Sequence, residues 1–582
     1  MTATKNNFSS VDVWALMAIL LLGFALYICP LKSKSFCFDD RVSVLNDAVI
    51  KQIDIPKIFN AFNTRSLVGL SFALNYKWTA LNPGGYRLIN LVIHCLNAFL
   101  VYLLIKSTLC LYASRKPILF CRLEWVAFLG SLLFLSHPIQ TEPVNFITQR
   151  FVLMGTFFYL LTLFLYIQYR CRFQKRYLIA SLGSGIAAMF CKEFVVTLPV
   201  MLFLYDFYFL DALAETWWKR CSRIFPFFVI VLIVPILLLR TPHEAIGVAS
   251  IAESKSHVDI TRAYGSIGRG QYFLTELNVV RTYVRLLFLP INQNLDYDYP
   301  ISNEIDNKTV LSGLFLLCLL IVAAVTYKSC RVVSFSILWF FIALSVESSF
   351  IPIGHVIAEY RLYLASVGFV FLVMSLMYIK QEHQKKIFLM GVAILIGFSL
   401  LTYQRNKVWK NDLALWDDTV HKSPHKARPY LNRGMNYYKR GEFTKAIFDF
   451  NKAIEIDPKF AGAYHDRGLI YDSQGQIAQA LSDYNKAIEL NPSDADVFNN
   501  RSIIYANQGK FILAVADLNK VIELKPNNAE SYSNRGSLYA QQGEYMAAMS
   551  NYNKAIEIDP EYADAYNNRL EVYKALMQKS KN

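Results

Sequence analysis

Residues 441–458 read Gly441-Glu442-Phe443-Thr444-Lys445-Ala446-Ile447-Phe448-Asp449-Phe450-Asn451-Lys452-Ala453-Ile454-Glu455-Ile456-Asp457-Pro458, and the frame returns three times downstream. Pro424, Pro458, Pro492, Pro526 and Pro560 are 34 residues apart, as are Gly441, Gly475, Gly509 and Gly543. Arg433, Arg467, Arg501, Arg535 and Arg569 keep the same step. The glycine lets the chain reverse between two helices, and the proline stops the second one.

A period of this length with Gly at the turn and Pro at the end is the tetratricopeptide signature. It predicts four full repeats over 425–558 and a capping helix and tail over 559–582. Stacked helix pairs form a concave surface that takes an extended peptide or another protein. Asn432, Asp466, Asn500, Asn534 and Asn568 also recur in frame. Amides along a groove can hydrogen-bond a peptide backbone whatever its side chains, so these five are candidate peptide-binding residues. A simple preference for Asn at this place in the repeat would give the same pattern.

Working outward, the composition changes. From His425 on there are 20 Lys and Arg against 19 Asp and Glu, so the net charge of +15 belongs almost wholly to the first 424 residues. That half is too apolar for a soluble domain, and its cations sit in short loops as membrane orientation requires; nucleic acid is not expected as a partner. Apolar stretches fall near 11–30, 86–106, 123–137, 151–169, 177–190, 194–210, 224–240, 309–327, 332–346, 362–379 and 387–403, most close to the length a helix needs to cross hydrocarbon. The first has no small-x-small cleavage site after it and reads as a signal anchor. The membrane domain is placed at 1–404, and Asn406–His421, with Trp409 and Trp416, predicts a connecting helix over 405–424.

Alternate loops differ in charge. One set carries clusters such as Lys106, Arg115, Lys116 and Arg122, whereas the opposing short turns hold only Arg150, Lys192 and Arg361. Positive residues stay cytoplasmic, so the N-terminus is expected inside, with the first loop and the repeats on the other side. Ten cysteines show neither CxxC nor metal-ligand spacing; only Cys37 and Cys191 fall near the outer face, where they pair or remain thiols. Gln271–Leu289 reads as a helix lying in the interface or as a packing helix between spans.

The outer turns gather polar groups that topology does not demand. Asp39 and Asp40 follow the first span. His137 and Glu142 precede Arg150, Lys192 adjoins Glu193, and Glu347 precedes Glu359 and Arg361; Arg65 lies in the first loop. Ionisable groups at membrane depth mark substrate pathways, although each alone also reads as an ion pair closing a turn. Together they suit sugar transfer from a lipid phosphate. Arg150, Lys192, Arg361 or Arg65 would hold the leaving phosphate, and one carboxylate of the Asp39–Asp40 pair would take the proton of the incoming hydroxyl. His137, Glu142, Glu193, Glu347 and Glu359 would support that outer-face site. His137 and Glu142 leave room for a divalent metal, but two residues do not make a site, and no cofactor other than the lipid-linked donor is indicated.

Phe38-Asp39-Asp40 after the first span resembles the first-loop acidic motif of GT-C type membrane glycosyltransferases. Asn82-Pro83-Gly84-Gly85-Tyr86-Arg87-Leu88-Ile89-Asn90 with His94, then Ser136-His137-Pro138-Ile139-Gln140-Thr141-Glu142, Lys192-Glu193 and Glu359-Tyr360-Arg361-Leu362-Tyr363-Leu364, look like the transmembrane-and-tetratricopeptide protein O-mannosyltransferase family and its prokaryotic relatives. The resemblance implies an all-α chain: a GT-C-like bundle of about 11 spans followed by a repeat solenoid. It also implies inverting transfer of mannose or a similar sugar from a polyprenyl-phosphate carrier to Ser or Thr of proteins, with Asp39 or Asp40 as base. Tyr360 stands where His is expected in many prokaryotic relatives. A glycolipid or polysaccharide acceptor, and a non-enzymatic membrane-anchored scaffold, are the competing readings.

Overall fold

The computed structural model describes residues 9–33, 35–37, 40, 44, 49–113, 123–210, 216–240, 267–353, 355–379 and 384–579. The described residues are helical, with no strand among them, and form two units, Met1–Lys422 and Ser423–Asn582.

In the first unit every apolar stretch named above falls on a helix. Six helices are long and apolar enough to cross a membrane: Ser10–Leu31, Pro83–Leu111, Ile147–Arg172, Trp217–Leu237, Asn307–Ser329 and Lys385–Val408. The chain is an integral membrane protein. Leu123–Ser136 and Arg331–Leu344 are apolar but have only 14 residues each, or roughly 21 Å of helix against roughly 30 Å of hydrocarbon. A count of about eleven crossings therefore rests on the shorter helices as well.

The first span opens on a capping box, Ser9 with Asp12, and the same Asp12 carboxylate pairs with Lys106 at 2.6 Å. Halfway along, Gly23 lets the span close on helix Pro83–Ala113, where a Cβ would come within 2.6 Å of Cys95 Sγ. Helix Arg269–Phe288 buries Val279, Tyr283, Leu286 and Leu287 in the main apolar core, so its alternating pattern belongs to a packing helix. Helix Gln384–Val408 runs past residue 404, and a second helix, Asp412–Lys422, follows after Asn411 caps Ala414 N at 2.8 Å. Cys37 and Cys191 are both buried, and neither forms a disulfide.

Two ends of this unit carry its charge. At one end Arg170 and Arg220 flank the buried Asp206, and Arg331 donates to Tyr208 O. The acidic first loop and the turns near residues 145, 192, 347 and 359 meet at the other.

The second unit contains four helix pairs, from Ala427–Lys439 with Phe443–Ile456 to Ala529–Gln541 with Tyr545–Ile558, and then Ala563–Lys579. The turn glycines 441, 475, 509 and 543 have φ of +70° to +77°, which L side chains adopt only at a cost. The recurring arginines tie the two helices of each repeat together. Arg433, Arg467 and Arg501 grip Asp449, Asp483 and Asp517 through both carboxylate oxygens at 2.6–2.9 Å. In the fourth repeat Arg535 meets the neutral Asn551 at 2.9 Å.

This difference is measurable. Arg467→Ala leaves the buried Asp483 without its cation and is expected to destabilise the repeats by about 2–3 kcal/mol. Arg535→Ala leaves only an amide and is expected to cost about 1 kcal/mol. Urea-dependent proteolysis of the repeat region in the full chain should rank the two variants in that order.

Candidate active site

The chain leaving the first span is shaped by one guanidinium. Arg87, on helix Pro83–Ala113, is 1% exposed. Its planar fork donates to Ser35 O at 2.9 Å, Asn145 O at 3.1 Å, and Pro30 O, Ser33 O and Cys37 Sγ at 3.5 Å. A guanidinium stays charged when buried, so acceptors must be brought to it, and loop carbonyls without helical partners can move there. Asp40 follows from that path and is fully enclosed. Its Oδ1 accepts from Thr148 N at 2.9 Å and its Oδ2 from Cys37 N at 3.4 Å. Burial pushes the carboxyl up to about 7, against the pull of Arg87 and the amides. Asp39 lies outside the described residues.

The four cations expected to hold phosphate divide into two pairs. Arg150 is fully buried, donating to Asn90 Oδ1 at 2.8 Å, Asn75 Oδ1 at 2.8 Å, Tyr86 O at 2.9 Å and Ser71 O at 3.3 Å, with the Phe72 ring 4.6 Å away. It locks helices Ser66–Thr79, Pro83–Ala113 and Arg150–Arg172 together, which corrects its assignment to a phosphate site: its donors are already spent on the protein. Arg361 is 3% exposed, donates to His355 O at 2.5 Å and Val356 O at 3.2 Å, and lies 3.8 Å from Glu276; it too is framework. Arg65 sits at a partly open rim, and Lys192, 8% exposed, lies beside Glu193, which Arg65 holds there.

Lys192 and Glu193 do not pair with each other. Lys192 has extended backbone, which sends successive side chains to opposite sides. Lys192 meets Glu347 at 2.7 Å, its ammonium 4.3 Å from the Tyr360 ring centroid. Glu193 takes both nitrogens of Arg65, at 3.2 and 3.3 Å, and Thr64 Oγ1 at 3.1 Å. Arg65 and those hydrogen bonds overcome burial and hold Glu193 at about 2.

The remaining supporting residues are enclosed. His137 Nε2 donates to Leu287 O at 2.9 Å and its Nδ1 accepts from Ile139 N at 3.1 Å, so both nitrogens are engaged and neither is offered to a metal. Among the described residues no group of three or more His, Cys, Asp or Glu is placed to hold an ion. Glu359 accepts from Tyr297 OH at 2.5 Å, Asn294 N at 2.7 Å and Gln293 Nε2 at 2.8 Å. Glu142 accepts from Tyr360 N and is near enough for the two acids to repel; burial first, then that repulsion, raises Glu142 well above the usual carboxylate range.

Residues that the charge pattern missed hold this end together. Asn90 donates to Val144 O and Ile147 O. Asn145 donates to Asn406 Oδ1 at 2.6 Å, and Asn406 to Leu26 O at 2.8 Å. His94 and Asn97 both bond Tyr363 OH, at 2.7 and 3.1 Å. A signal was present: Arg87, Asn90, His94 and Asn97 step by three, four and three residues, one polar face inside an apolar helix. In the repeats all five candidate groove residues are half-buried. Asn432 donates to Arg428 O at 3.0 Å, Asn500 bonds His465 at 2.9 Å, and Asn534 reaches Asn499 at 3.5 Å; Asp466 and Asn568 occupy the equivalent helix positions.

Asp40 makes stability depend on pH. Its folded value lies above the ordinary 3.8, so the neutral form favours folding; that contribution is fully present below about pH 4 and lost as pH rises through about 7. The size is on the order of 4 kcal/mol. The thermal midpoint in detergent is expected to fall between about pH 4 and pH 7, and Asp40→Asn to flatten that fall.

The comparisons agree with this architecture. A family profile described as TPR repeat matches residues 434–475, 468–509, 503–543 and 536–576. The Caenorhabditis elegans protein named Protein O-mannosyl-transferase F38B6.6 is 26% identical over 478 residues, 78% of this chain and 64% of its own. Human Protein O-mannosyl-transferase TMTC1 is 24% identical over 68% of this chain and 48% of its own. Human TMTC2, of the same designation, is 33% identical over 32% of this chain and 23% of its own. The crystal structure described as YrrB, a TPR protein with an unusual peptide-binding site, aligns at 25% identity over 30% of this chain and 88% of that one, with a TM-score of 0.25. The chain thus spans 64% of the nematode relative and about half or less of the human ones. The resemblance read from the motifs holds: this is a helical membrane protein with C-terminal TPR repeats, similar to proteins named protein O-mannosyl-transferases.

Proposed function

We propose that the chain is a glycosyltransferase that moves mannose or a similar sugar from a polyprenyl-phosphate carrier to Ser or Thr hydroxyls of proteins. The observation that carries this reading is the first loop, drawn by Arg87 and Asp40 against the turn at 145–148, beside the rim that holds Arg65 and Lys192. The names of the relatives support the same chemistry. Because Asp40 is enclosed and engaged with two backbone amides, it positions the loop, and Asp39 is the base. The acceptor oxygen attacks the anomeric carbon, the bond from that carbon to the phosphate oxygen breaks, the hydroxyl proton passes to Asp39, and polyprenyl phosphate departs with the bonding pair. One displacement inverts the anomeric centre.

The cations of the Arg170–Arg220–Arg331 end belong in the cytoplasm, so the acidic loop works at the non-cytoplasmic face: the lumen of the endoplasmic reticulum in a eukaryote, the periplasmic side in a bacterium. The repeats recruit the acceptor or a partner protein through Asn432, Asp466, Asn500, Asn534 and Asn568.

Membranes holding the full chain and a labelled polyprenyl-phosphate sugar should place label in protein. Asp39→Asn is expected to lower transfer at least about 100-fold with unchanged thermal stability; full activity in that variant would refute the assignment. Label in lipid alone would favour a glycolipid acceptor, and no label in either would favour the scaffold. A reporter fused after Asn582 is expected to be active only outside the cytoplasm.

A further inference from the structure

The rim that holds Lys192 carries a second feature that the transfer chemistry does not use. Three residues beyond Glu347, the chain runs Phe350-Ile351-Pro352-Ile353, and Phe350, Ile351 and Ile353 are 60%, 57% and 37% exposed. An apolar run just past the end of an apolar helix of a membrane protein faces hydrocarbon or a lipid ligand rather than water. Glu347 itself is held from two directions: its carboxylate by Lys192 at 2.7 Å, and its carbonyl by Tyr272 OH at 3.4 Å. The side chains of Lys192 and Glu347 are 9% and 13% exposed, so the pair is shielded yet reachable. The Tyr360 ring beneath Lys192 keeps its ammonium in place whichever anion it faces.

We propose that this rim is a phosphate site occupied at rest by the protein's own carboxylate. Lys192 binds the phosphate of the polyprenyl carrier, Glu347 is the counter-ion that the phosphate displaces, and Phe350, Ile351 and Ile353 take the first isoprene units of the tail. This deepens the proposed function and rests on it for the identity of the lipid. The argument for a polyprenyl phosphate is complementarity at both ends: a single cation for the head and, three residues along the chain from its counter-ion Glu347, an exposed apolar turn for the tail. Displacement also gives a means of release. Once the sugar has left, the carrier bears a dianion that Lys192 would hold tightly, and the returning Glu347 competes with it.

The test is direct binding of polyprenyl phosphate to the detergent-solubilised full chain, read by native mass spectrometry with a short (farnesyl) and a long carrier. Glu347→Gln removes the competitor and is expected to tighten binding of both carriers roughly 3- to 10-fold, at about 1.4 kcal/mol per tenfold. Lys192→Met is expected to weaken both by at least as much. The double variant F350S/I351S is expected to lower the preference for the long carrier over the short one. Unchanged or weaker binding in Glu347→Gln overturns the counter-ion role, and an unaltered chain-length preference in F350S/I351S assigns the turn to bulk lipid and overturns the tail site. Binding as expected without any sugar transfer would leave this site standing and refute the glycosyltransferase reading instead.

Discussion

The outer end of the membrane unit depends on the burial of arginine. A guanidinium cannot discard its proton in a low-dielectric setting, so the chain must bring acceptors to it. Arg87 collects carbonyls from residues 30, 33, 35 and 145, which do not belong to one helix. That demand bends the first loop back over the bundle and delivers Asp40 to the amide of Thr148. Lysine offers a point charge with three donors rather than a planar fork and could not gather so many groups from separate segments. Arg150 repeats the device one turn deeper, tying three helices through Asn75, Asn90 and a main-chain carbonyl.

The same physics separates what could be read from the sequence from what could not. The repeats were legible because a fixed period records a fixed local geometry: the glycine turn, the proline stop and the recurring Arg. Hydropathy located the helices of the membrane half. Depth was not legible. Arg65, Arg150, Lys192 and Arg361 look alike as cations in outward turns, yet three are buried and only Arg65 is partly exposed. Neighbours in sequence misled for a backbone reason, since extended geometry at Lys192 turns it toward Glu347 and leaves Glu193 to Arg65. Glu276 drew no notice because its partner Arg361 comes from a distant segment.

Within the repeats, pairing also explains why Arg and not Asn keeps the stricter step. Arg433, Arg467 and Arg501 each have an aromatic ring on either side, Tyr430 and Tyr437, Tyr464 and Tyr471, Phe498 and Tyr505, at 5.6–6.0 Å, besides the carboxylate of the second helix. That site is filled by the fold itself. The Asn and Asp positions beside it make less regular bonds, Asn432 within its own helix and Asn500 to His465 of the preceding repeat.

Glu142 and Glu359 are the two acids at this end that least resemble a proton acceptor for a substrate, although both are raised. Glu359 is surrounded by donors from residues 293, 294 and 297, and Arg405 stands near the pair while also holding Asp418 at 2.5 Å. Lys422 meets the same Asp418 at 2.7 Å. Burial favours the neutral form of both acids, and repulsion from Glu359 adds to it for Glu142; both belong to the framework that joins the turn at 138–145 to residues 355–361.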